Sequence, residues 1–400
     1  MNTRLVAISD TSGGAAGRQL HVLTLTPFFP TEEDEANGCF VFEPLVWLSK
    51  RGVRHTVFAL QPFYRRKAQS LKSETTATWF RYFAFPAGVG LPSAGAFAFA
   101  RVIGQLRNLH RSRPIDLIHA HGALPCGHAA MLLSGELKIP YVVSVHGLDA
   151  YSDVQVSGRA GQWCRRISRR VFSSARRSIC ISELVREQVL SGLGKNGRTS
   201  VVYNGVDPER FSPGEESPSK PLMVLSVGNL IPIKGHEFLI RAAAAISAEF
   251  PALTLEIIGQ GPEGPRLQLL AHQLGIADRV FLRGRQSRQE VAEAMRRCTI
   301  FALPSRYEGL GCVYLEAMAT AKPVIGCRGQ GIAEIIQHGS NGFLVGAENE
   351  KELSLALAML LKDENWRQNL GRVARETILE GLRLEHQAER LARIYRECIA

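Results

Sequence analysis

The stretch that decides the fold of this chain is SRYEGLGCVYLEAMATAKPVIGCRGQGIAEII (305–336). Two glycines in the segment 307–311 free the backbone there and predict a turn. A helix is expected over residues 312–320, and the Lys-Pro pair that follows should end it, because the residue before a proline avoids helical angles. Glu308 would then lie at the mouth of this helix, with Glu316 a little over one turn inside it.

A helix mouth of this kind suits a phosphate group, because it has free backbone N–H groups and the positive end of the helix dipole. Eight residues at a rise of about 1.5 Å each would separate the two carboxylates by roughly 12 Å if all were helical. The carboxylates of a glycosidase acid/base pair lie about 5 to 9.5 Å apart, so this separation is too long for such a pair. It fits better with two glutamates that contact one long ligand at separate points. The alternative is that both glutamates are solvated surface acids.

Short apolar runs alternate with helical stretches along the chain, which predicts parallel strands covered by helices on both faces. Strands are expected near residues 20–26, 53–60, 115–119, 140–145, 177–181, 199–203, 222–228, 253–258, 279–283, 299–303 and 323–327. The pattern predicts an α/β protein with two doubly wound halves.

The run 305–336 resembles the E-x7-E signature of retaining GT-B glycosyltransferases, the large sequence family 4. Other segments agree with the family in order: residues 27–38, His146-Gly147-Leu148-Asp149, Asn204-Gly205-Val206-Asp207, residues 228–235 and Gly259-Gln260-Gly261-Pro262. The resemblance covers about residues 20–400. It implies the GT-B fold, in which two Rossmann-like domains face a central cleft.

The domain boundaries follow from composition and from the resemblance. Residues 1–19 are expected to form a flexible N-terminal extension, and the Pro/Ser/Glu-rich stretch 211–221 to form the linker. The N-terminal acceptor-side domain would span 20–212, and the C-terminal nucleotide-sugar domain would span 213–382. In the family the last helix returns to the N-terminal domain, and residues 383–400 are the candidate here.

The resemblance also implies roles for single residues. Glu316 would hold the ribose hydroxyls of the donor, and Glu308 the hydroxyls of its sugar. Lys234, at the carboxyl end of a predicted strand, would neutralise the diphosphate as it leaves. His146 would orient the sugar from the opposite domain, although a buried, hydrogen-bonded structural histidine is the alternative.

Further donor-site residues come from the same resemblance. Asn229 stands where the family has a basic residue, so one of the usual two phosphate-binding cations is missing. Gly38 follows the first strand, where backbone N–H groups approach the phosphates or the acceptor, and Arg285 matches a loop that holds the nucleobase. The predicted turn completes the set with Gly309, Leu310 and Gly311.

Three other polar residues lie near the predicted cleft. His119 and His121 are expected to lie on alternate faces of one strand, so that one of them reaches the cleft, and Asp149 is expected to cap the next helix. No carboxylate or cysteine lies at ligand spacing from the histidines, so no metal site is predicted. Eight scattered cysteines without a CxxC pair predict reduced thiols and a cytoplasmic location.

The function that the resemblance implies is that of a retaining, metal-independent hexosyltransferase. It would move a sugar from a UDP- or GDP-sugar to a saccharide or lipid-linked acceptor in bacterial cell-surface polysaccharide or glycolipid assembly, with no cofactor and no nucleic acid partner. The alternatives are a nucleotide-sugar epimerase, a phosphorylase, and a non-catalytic sugar-nucleotide-binding protein. A nicotinamide dehydrogenase is disfavoured, because no G-x-G-x-x-G follows the first strand.

The distribution of charge suggests a second binding partner. Residues 1–212 hold 26 Lys+Arg and 15 Asp+Glu, whereas residues 213–400 hold 22 of each, so the excess of +11 lies in the first half. Residues 159–177 carry seven arginines around Trp163, and residues 62–67 read PFYRRK. Both segments predict peripheral contact with an anionic membrane, such as the inner face of the plasma membrane. The alternative is an ordinary amphipathic helix with solvated arginines.

Overall fold

Apolar, β-branched runs form two separate parallel sheets in the computed structural model of the chain. The structure describes residues 19–65, 76–85, 88, 90–151, 156–194, 197–214 and 222–400. The predicted N-terminal extension, apart from Gln19, and residues 215–221 of the predicted linker lie outside the described residues.

The first sheet has seven parallel strands within the described part of residues 19–214, in the order β3-β2-β1-β4-β5-β6-β7. They are β1 (Leu20–Thr26), β2 (Val53–Pro62), β3 (Ala77–Tyr82), β4 (Leu117–His121), β5 (Tyr141–Val145), β6 (Arg177–Cys180) and β7 (Thr199–Val201). The helices around it are α1 (Cys39–Lys50), α2 (Leu91–Ser112), α3 (His128–Leu137), α4 (Gly158–Ser174) and α5 (Glu183–Leu193), with a π-helical turn at Ala123–Gly127. Strands β4 and β5 are buried at every residue, because helices cover both faces of the sheet.

The second sheet has six parallel strands within the described part of residues 222–400, in the order β10-β9-β8-β11-β12-β13. They are β8 (Met223–Val227), β9 (Thr254–Ile258), β10 (Val280–Leu282), β11 (Ile300–Ala302), β12 (Val324–Cys327) and β13 (Phe343–Val345). The helices are α6 (His236–Ala245), α7 (Gly264–Gln273), α8 (Arg288–Arg297), α9 (Cys312–Ala319), α10 (Glu350–Lys362), α11 (Glu364–Gly381) and α12 (Leu384–Ile399). Short 3-10 turns lie at Pro232–Lys234, Ala277–Arg279 and Gly331–Glu334.

The predicted α/β class and its two doubly wound halves are confirmed. Each predicted strand is present, with ends shifted by two residues at most. Strands β3 and β13 were not predicted. Strand β3 lies at the edge of its sheet and alternates buried with exposed residues, and β13 has only three residues, so neither forms a continuous apolar run.

The C-terminal helix α12 packs on the first sheet rather than the second. Leu391 and Tyr395 lie in one apolar cluster with Val41 and Leu45 of α1. The chain crosses back beside Gly205, where an added Cβ would lie 2.6 Å from the backbone of the residue that starts α12. This close approach explains the need for glycine in the Asn-Gly-Val-Asp segment. Among the described residues no helix is both long and apolar enough to span a bilayer.

Candidate active site

The predicted site residues lie at the carboxyl ends of strands in both sheets. Gly38 follows β1 and His146 follows β5, whereas Lys234 follows β8 and Glu308 follows β11. In doubly wound sheets, ligands bind outside these strand ends, next to the point where the strand order reverses. In these sheets the order reverses between β1 and β4 and between β8 and β11, so the site residues lie where a ligand is expected.

The loops of the two sheets touch at this point. The Ser182 hydroxyl, after β6, donates a hydrogen bond to the carbonyl of Gly309 at 2.6 Å. A Cβ on Gly309 would lie 2.8 Å from the carbonyl oxygen of His146, and a Cβ on Gly147 would lie 3.2 Å from the Tyr307 hydroxyl. Glycine therefore lets the loop after β5 and the turn before α9 meet.

The predicted turn and helix at residues 307–320 are confirmed. Helix α9 begins directly after Gly311, whose φ of 82° is left-handed, and no side chain caps its first N–H groups. The Gly-rich segment 326–331 packs on this turn, because a Cβ on Gly331 would lie 1.9 Å from the carbonyl oxygen of Gly309. The backbone N–H of Glu308 donates to the side chain of Gln330 at 2.9 Å, so the helix mouth is held rigidly.

Lys234 and Glu308 form an ion pair at this mouth. The Nζ of Lys234 lies 2.5 Å from Oε2 of Glu308, and the two side chains are 21% and 14% exposed. Gly235 makes the approach feasible, because a Cβ there would lie 2.1 Å from the carbonyl oxygen of Pro304. Two residues separated by 74 positions in the sequence thus meet in one partly buried pair.

Glu316 lies deeper and forms part of a second ion network. It is 3% exposed, so the alternative that it is a solvated surface acid is wrong. Its Oε1 pairs with Nη1 of Arg288, the first residue of α8, and Nη2 of Arg288 lies 2.9 Å from Oε1 of Glu43 on α1. The guanidinium also lies 5.0 Å from the ring centroid of Phe211.

Burial and charge act in opposite directions within this network. Burial alone would lower the pKa of Arg288, but the carboxylates of Glu316 and Glu43 outweigh burial and raise that pKa. Burial raises the pKa of Glu43, and the nearby guanidinium opposes the rise. Arg288 therefore stays charged and holds two acids in place, one from each half of the chain.

The half-buried His146 belongs to a cluster with the buried His119 and His121. Its Nε2 lies 3.0 Å from Nδ1 of His121, and the two rings are stacked with centroids 5.2 Å apart. His119 lies beside His121, with ring centroids 4.3 Å apart, and it hydrogen-bonds the Tyr395 hydroxyl and the Ser144 hydroxyl, each at 2.7 Å. Burial lowers the pKa of His146 to about 4 and the pKa of His119 to about 3, so both rings are neutral at pH 7.

Two expectations about these residues are wrong. His119 and His121 do not lie on alternate faces of β4, because residues two apart in a strand point to the same side. Asp149 does not cap α4, whose N-cap is Ser157. The carboxylate of Asp149 accepts a hydrogen bond from the backbone N–H of His146 at 2.9 Å, so it fixes the loop after β5.

Gly38, Asn229 and Arg285 lie in the loops that follow β1, β8 and β10. A Cβ on Gly38 would lie 2.4 Å from the backbone of Phe28, so the loop after β1 turns tightly before α1. Asn229 is exposed. Nη1 of Arg285 lies 2.5 Å from Oδ2 of Asp34, which joins the loop after β10 to the loop after β1.

Sequence reasoning did not identify Arg288 or Glu43 as site residues, and it left open which of His119 and His121 reaches the cleft. A signal existed for Arg288, because Ser287 and Glu290 form a capping box that fixes the start of α8 and places residue 288 in its first turn. Nothing in the sequence pairs Glu43 with residue 288, since the two lie 245 positions apart and in different halves.

Two doubly wound sheets with a polar site between the ends of their strands define a two-domain α/β fold, in which ligands bind outside the carboxyl ends of the strands. The sequence model described as glycosyltransferase family 4 matches residues 40–210, and that described as glycosyl transferases group 1 matches residues 207–377. An uncharacterized glycosyltransferase of Methanocaldococcus jannaschii is 33% identical over 271 residues, which cover 68% of this chain and 72% of that protein. The chain therefore belongs to the group 1 glycosyl transferases, and it has the GT-B fold.

Two further proteins are similar over most of the chain. A GDP-mannose-dependent alpha-(1-6)-phosphatidylinositol monomannoside mannosyltransferase of Mycobacterium tuberculosis is 27% identical over 357 residues, which cover 84% of this chain and 88% of that protein. The structure of HepE from Anabaena, in complex with UDP-glucose, superimposes with a TM-score of 0.74 at 20% identity. That match covers 94% of this chain and 100% of HepE, and at this identity it shows the fold.

Proposed function

We propose that this chain is a retaining, metal-independent hexosyltransferase that transfers a sugar from a nucleotide-sugar to an acceptor hydroxyl in the assembly of a bacterial cell-surface polysaccharide or glycolipid. The observation that carries the proposal is the Lys234–Glu308 pair at the uncapped mouth of α9, with Glu316 buried inside the same helix. A helix N-terminus and an ammonium group suit a diphosphate, and carboxylates accept hydrogen bonds from sugar hydroxyls. The names of the two similar proteins favour UDP- or GDP-sugars as donors.

Each residue then has one role in the transfer. Glu316 accepts hydrogen bonds from the ribose, and Glu308 accepts them from the hydroxyls of the transferred sugar. Lys234 neutralises the leaving diphosphate, and Asn229 donates a hydrogen bond where a second cation is missing. His146 orients the sugar through Nδ1, because its Nε2 contacts His121. The leaving phosphate takes the acceptor proton on the face from which the acceptor attacks, so the anomeric configuration is kept.

Donor binding would rearrange the ion pair at the helix mouth. Without a donor, the ammonium group of Lys234 and the carboxylate of Glu308 neutralise each other. A diphosphate competes for the ammonium group and frees the carboxylate to accept hydrogen bonds from the sugar. The same lysine and the α9 dipole supply the positive charge that a metal ion would otherwise provide.

The donor-binding roles predict different defects for the two glutamates. Glu316→Ala should weaken donor binding about 10- to 100-fold, the size of a lost hydrogen bond to a charged group. Glu308→Ala should mainly lower kcat, because it contacts the sugar at the reacting centre. The measurements are thermal shift with UDP-, GDP- and ADP-sugars and steady-state kinetics with the donor that binds, and Glu293→Ala on the exposed face of α8 is the control.

Wild-type kinetics in both glutamate variants would contradict these roles. An NMR spectrum of the product separates the alternatives: transfer with retained anomeric configuration supports the proposal, whereas an altered free nucleotide-sugar indicates an epimerase. Binding without any product indicates a non-catalytic sugar-nucleotide-binding protein. Activity should be unchanged by EDTA, and loss of activity that Mg²⁺ restores would overturn metal independence.

Membrane contact by the N-terminal half is the second part of the proposal. In α4, Ile167 and Val171 are buried, as in an ordinary amphipathic helix, but Trp163 is 54% exposed among exposed arginines. A second surface is the aromatic cluster, an exposed set of contacting rings formed by Phe63, Tyr64, Phe83, Phe85 and Phe97. Exposed aromatics beside basic residues favour the surface of an anionic bilayer, where a lipid-linked acceptor would lie. Residues 66 and 67 of the PFYRRK segment lie outside the described residues.

Binding to vesicles tests this contact. We expect the chain to co-sediment with vesicles that contain phosphatidylserine at low salt, and to be released at high salt, because each basic residue contributes about 1 kcal/mol near an anionic leaflet. The double variants Arg169→Glu/Arg170→Glu and Phe83→Ser/Phe85→Ser should each reduce binding several-fold. Leu355→Ser, at an exposed leucine of α10, is the control. Equal binding to neutral and anionic vesicles, or none to either, would favour a soluble acceptor instead.

A further inference from the structure

The network that joins Glu43, Arg288 and Glu316 connects the two halves of the chain behind the proposed ribose site. Side-chain exposure is 12% for Glu43, 11% for Arg288 and 4% for Glu316. Helix α8 packs on β8 and α9, whereas α1 packs on β2 and α12. The contact between Arg288 and Glu316 therefore lies within one half, and the contact between Arg288 and Glu43 crosses between the halves.

Burying three charges is costly, and such a network is kept only where its geometry serves a purpose or satisfies most of its polar atoms. Here two enclosed atoms have no partner among the described residues, namely Oε2 of Glu316 and Nε of Arg288. Arg288 takes Oε1 of Glu316 and leaves Oε2 as an acceptor without a donor. A buried carboxylate oxygen without a donor is a strong site for a hydroxyl group.

We propose that Arg288 is a positioning residue that turns Oε2 of Glu316 toward the 2′-hydroxyl of the donor nucleotide, so that this chain selects ribose over 2′-deoxyribose. The inference rests on the proposed role of Glu316 and adds the group that orients it. Because Oε2 is enclosed, the ribose reaches it only when the two halves move apart. Arg288 and Glu316 then stay paired within one half, whereas the contact with Glu43 breaks and forms again over the bound nucleotide.

The choice of arginine follows from its shape. A guanidinium group presents two parallel N–H pairs in a rigid fork, so it can hold Glu316 with one nitrogen and Glu43 with the other. Lysine would keep the charge but offer only a point contact that leaves the carboxylate free to rotate. The inference therefore predicts that charge at position 288 is not sufficient for ribose selection.

Binding of matched nucleotides tests the inference directly. Isothermal titration would compare UDP with 2′-deoxy-UDP and GDP with 2′-deoxy-GDP. The wild-type chain should prefer the ribose form of the nucleotide that it binds by about 10- to 100-fold, since the lost bond is one to a charged acceptor. Arg288→Gln and Arg288→Lys should both reduce that ratio to less than about 3-fold, chiefly by weakening the ribose form.

Two further variants separate positioning from general damage. Glu43→Gln should weaken binding of the ribose and deoxyribose nucleotides equally. The ratio of the two affinities should stay unchanged, because Arg288 still holds Glu316. Arg297→Gln, at an exposed position of the same helix, should change neither affinity nor ratio. If Arg288→Gln does not fold, because it leaves two buried acids without a cation, Arg288→Lys provides the test, since it keeps the charge.

The results that would overturn this inference differ from those that would overturn the proposed function. An unchanged ratio in folded Arg288→Lys, with normal sugar transfer by the wild-type chain, overturns the inference and leaves the proposed function in place. Equal wild-type affinity for the ribose and deoxyribose forms also overturns it, because Glu316 would then not hold the 2′-hydroxyl. If the wild-type chain binds no nucleotide at all, the proposed function and the inference both fail.

Discussion

Lys234→Ala is expected to lower kcat about 30- to 900-fold, which corresponds to about 2–4 kcal/mol of transition-state stabilisation. The reason is that, in the proposed transfer, negative charge develops on the leaving diphosphate, and the exposed Asn229 supplies no second positive charge there. The lysine is held by the Gly235 turn and is only 21% exposed, so it is preorganised in surroundings where screening by water is reduced. Single-turnover kinetics with saturating donor measure the effect on the chemical step.

Two variants show whether kcat falls because the contact with the diphosphate is lost or because the ion pair with Glu308 is broken. Removing the ammonium group also leaves Glu308 without its partner, and Glu308→Gln in the Lys234→Ala background removes that unpaired charge. Glu308→Gln alone is the reference, because Glu308 itself contacts the sugar in the proposed transfer. If Lys234→Ala slows that variant as much as it slows the wild-type chain, the lost contact is to the donor. Asn229→Arg is the complementary change and should raise kcat by restoring a second cation. Wild-type kcat in Lys234→Ala would contradict the proposed role.

The sequence predicts the local part of the site well, because local geometry is encoded in local residues. Gly309 and Gly311 specify the turn, and α9 follows within one residue of its predicted span. The strand ends that carry Gly38, His146 and Lys234 also follow from periodicity, because continuous apolar runs mark buried parallel strands. The resemblance to a known family then added the roles of these residues.

The long-range part of the site could not be predicted, because it depends on contacts that no local pattern encodes. Glu43 is an ordinary glutamate in an amphipathic helix, and only the approach of the two halves to each other brings it to Arg288. The prediction that His119 and His121 lie on alternate faces was wrong for a different reason. Strand geometry alone places residues two apart on the same face, so no long-range contact is involved. The sequence left open the alternative that Glu316 is a solvated surface acid. Tertiary burial, which a single glutamate in sequence does not reveal, rules that alternative out.

The second large effect is acid destabilisation by the cluster of His119, His121 and His146. Unfolded histidine has a pKa near 6.5, whereas burial lowers the folded pKa of His146 to about 4 and of His119 to about 3, and the pKa of His121 lies well below its ordinary value. The unfolded state therefore binds more protons below pH 6.5, so the stabilisation is present above that pH and is lost as the pH falls. Each histidine contributes a loss of about 1.4 kcal/mol per pH unit between its two pKa values.

One group in the cluster opposes this loss. Burial raises the pKa of Asp149 to about 6, so that carboxyl binds a proton more readily in the folded state and stabilises it as the pH falls toward 4. At pH 5 His119 and His146 together cost up to about 4 kcal/mol, His121 acts in the same direction, and Asp149 returns about 1.4 kcal/mol, so the histidines dominate. His55 and His236, whose pKa values burial lowers to about 4, act in the same direction.

Urea denaturation at pH 7 and pH 5 measures the loss, which is expected to be several kcal/mol and thus a large part of the 5–15 kcal/mol that is typical of folded domains. His119→Gln keeps a side chain that can contact Tyr395 and Ser144 but cannot titrate, so the pH slope of the unfolding free energy should fall by about 1.4 kcal/mol per unit. Gln273→Ala, at an exposed position of α7, should leave the slope unchanged. Equal unfolding free energies at the two pH values, or a wild-type slope in His119→Gln, would show that these rings do not resist protonation in the folded chain.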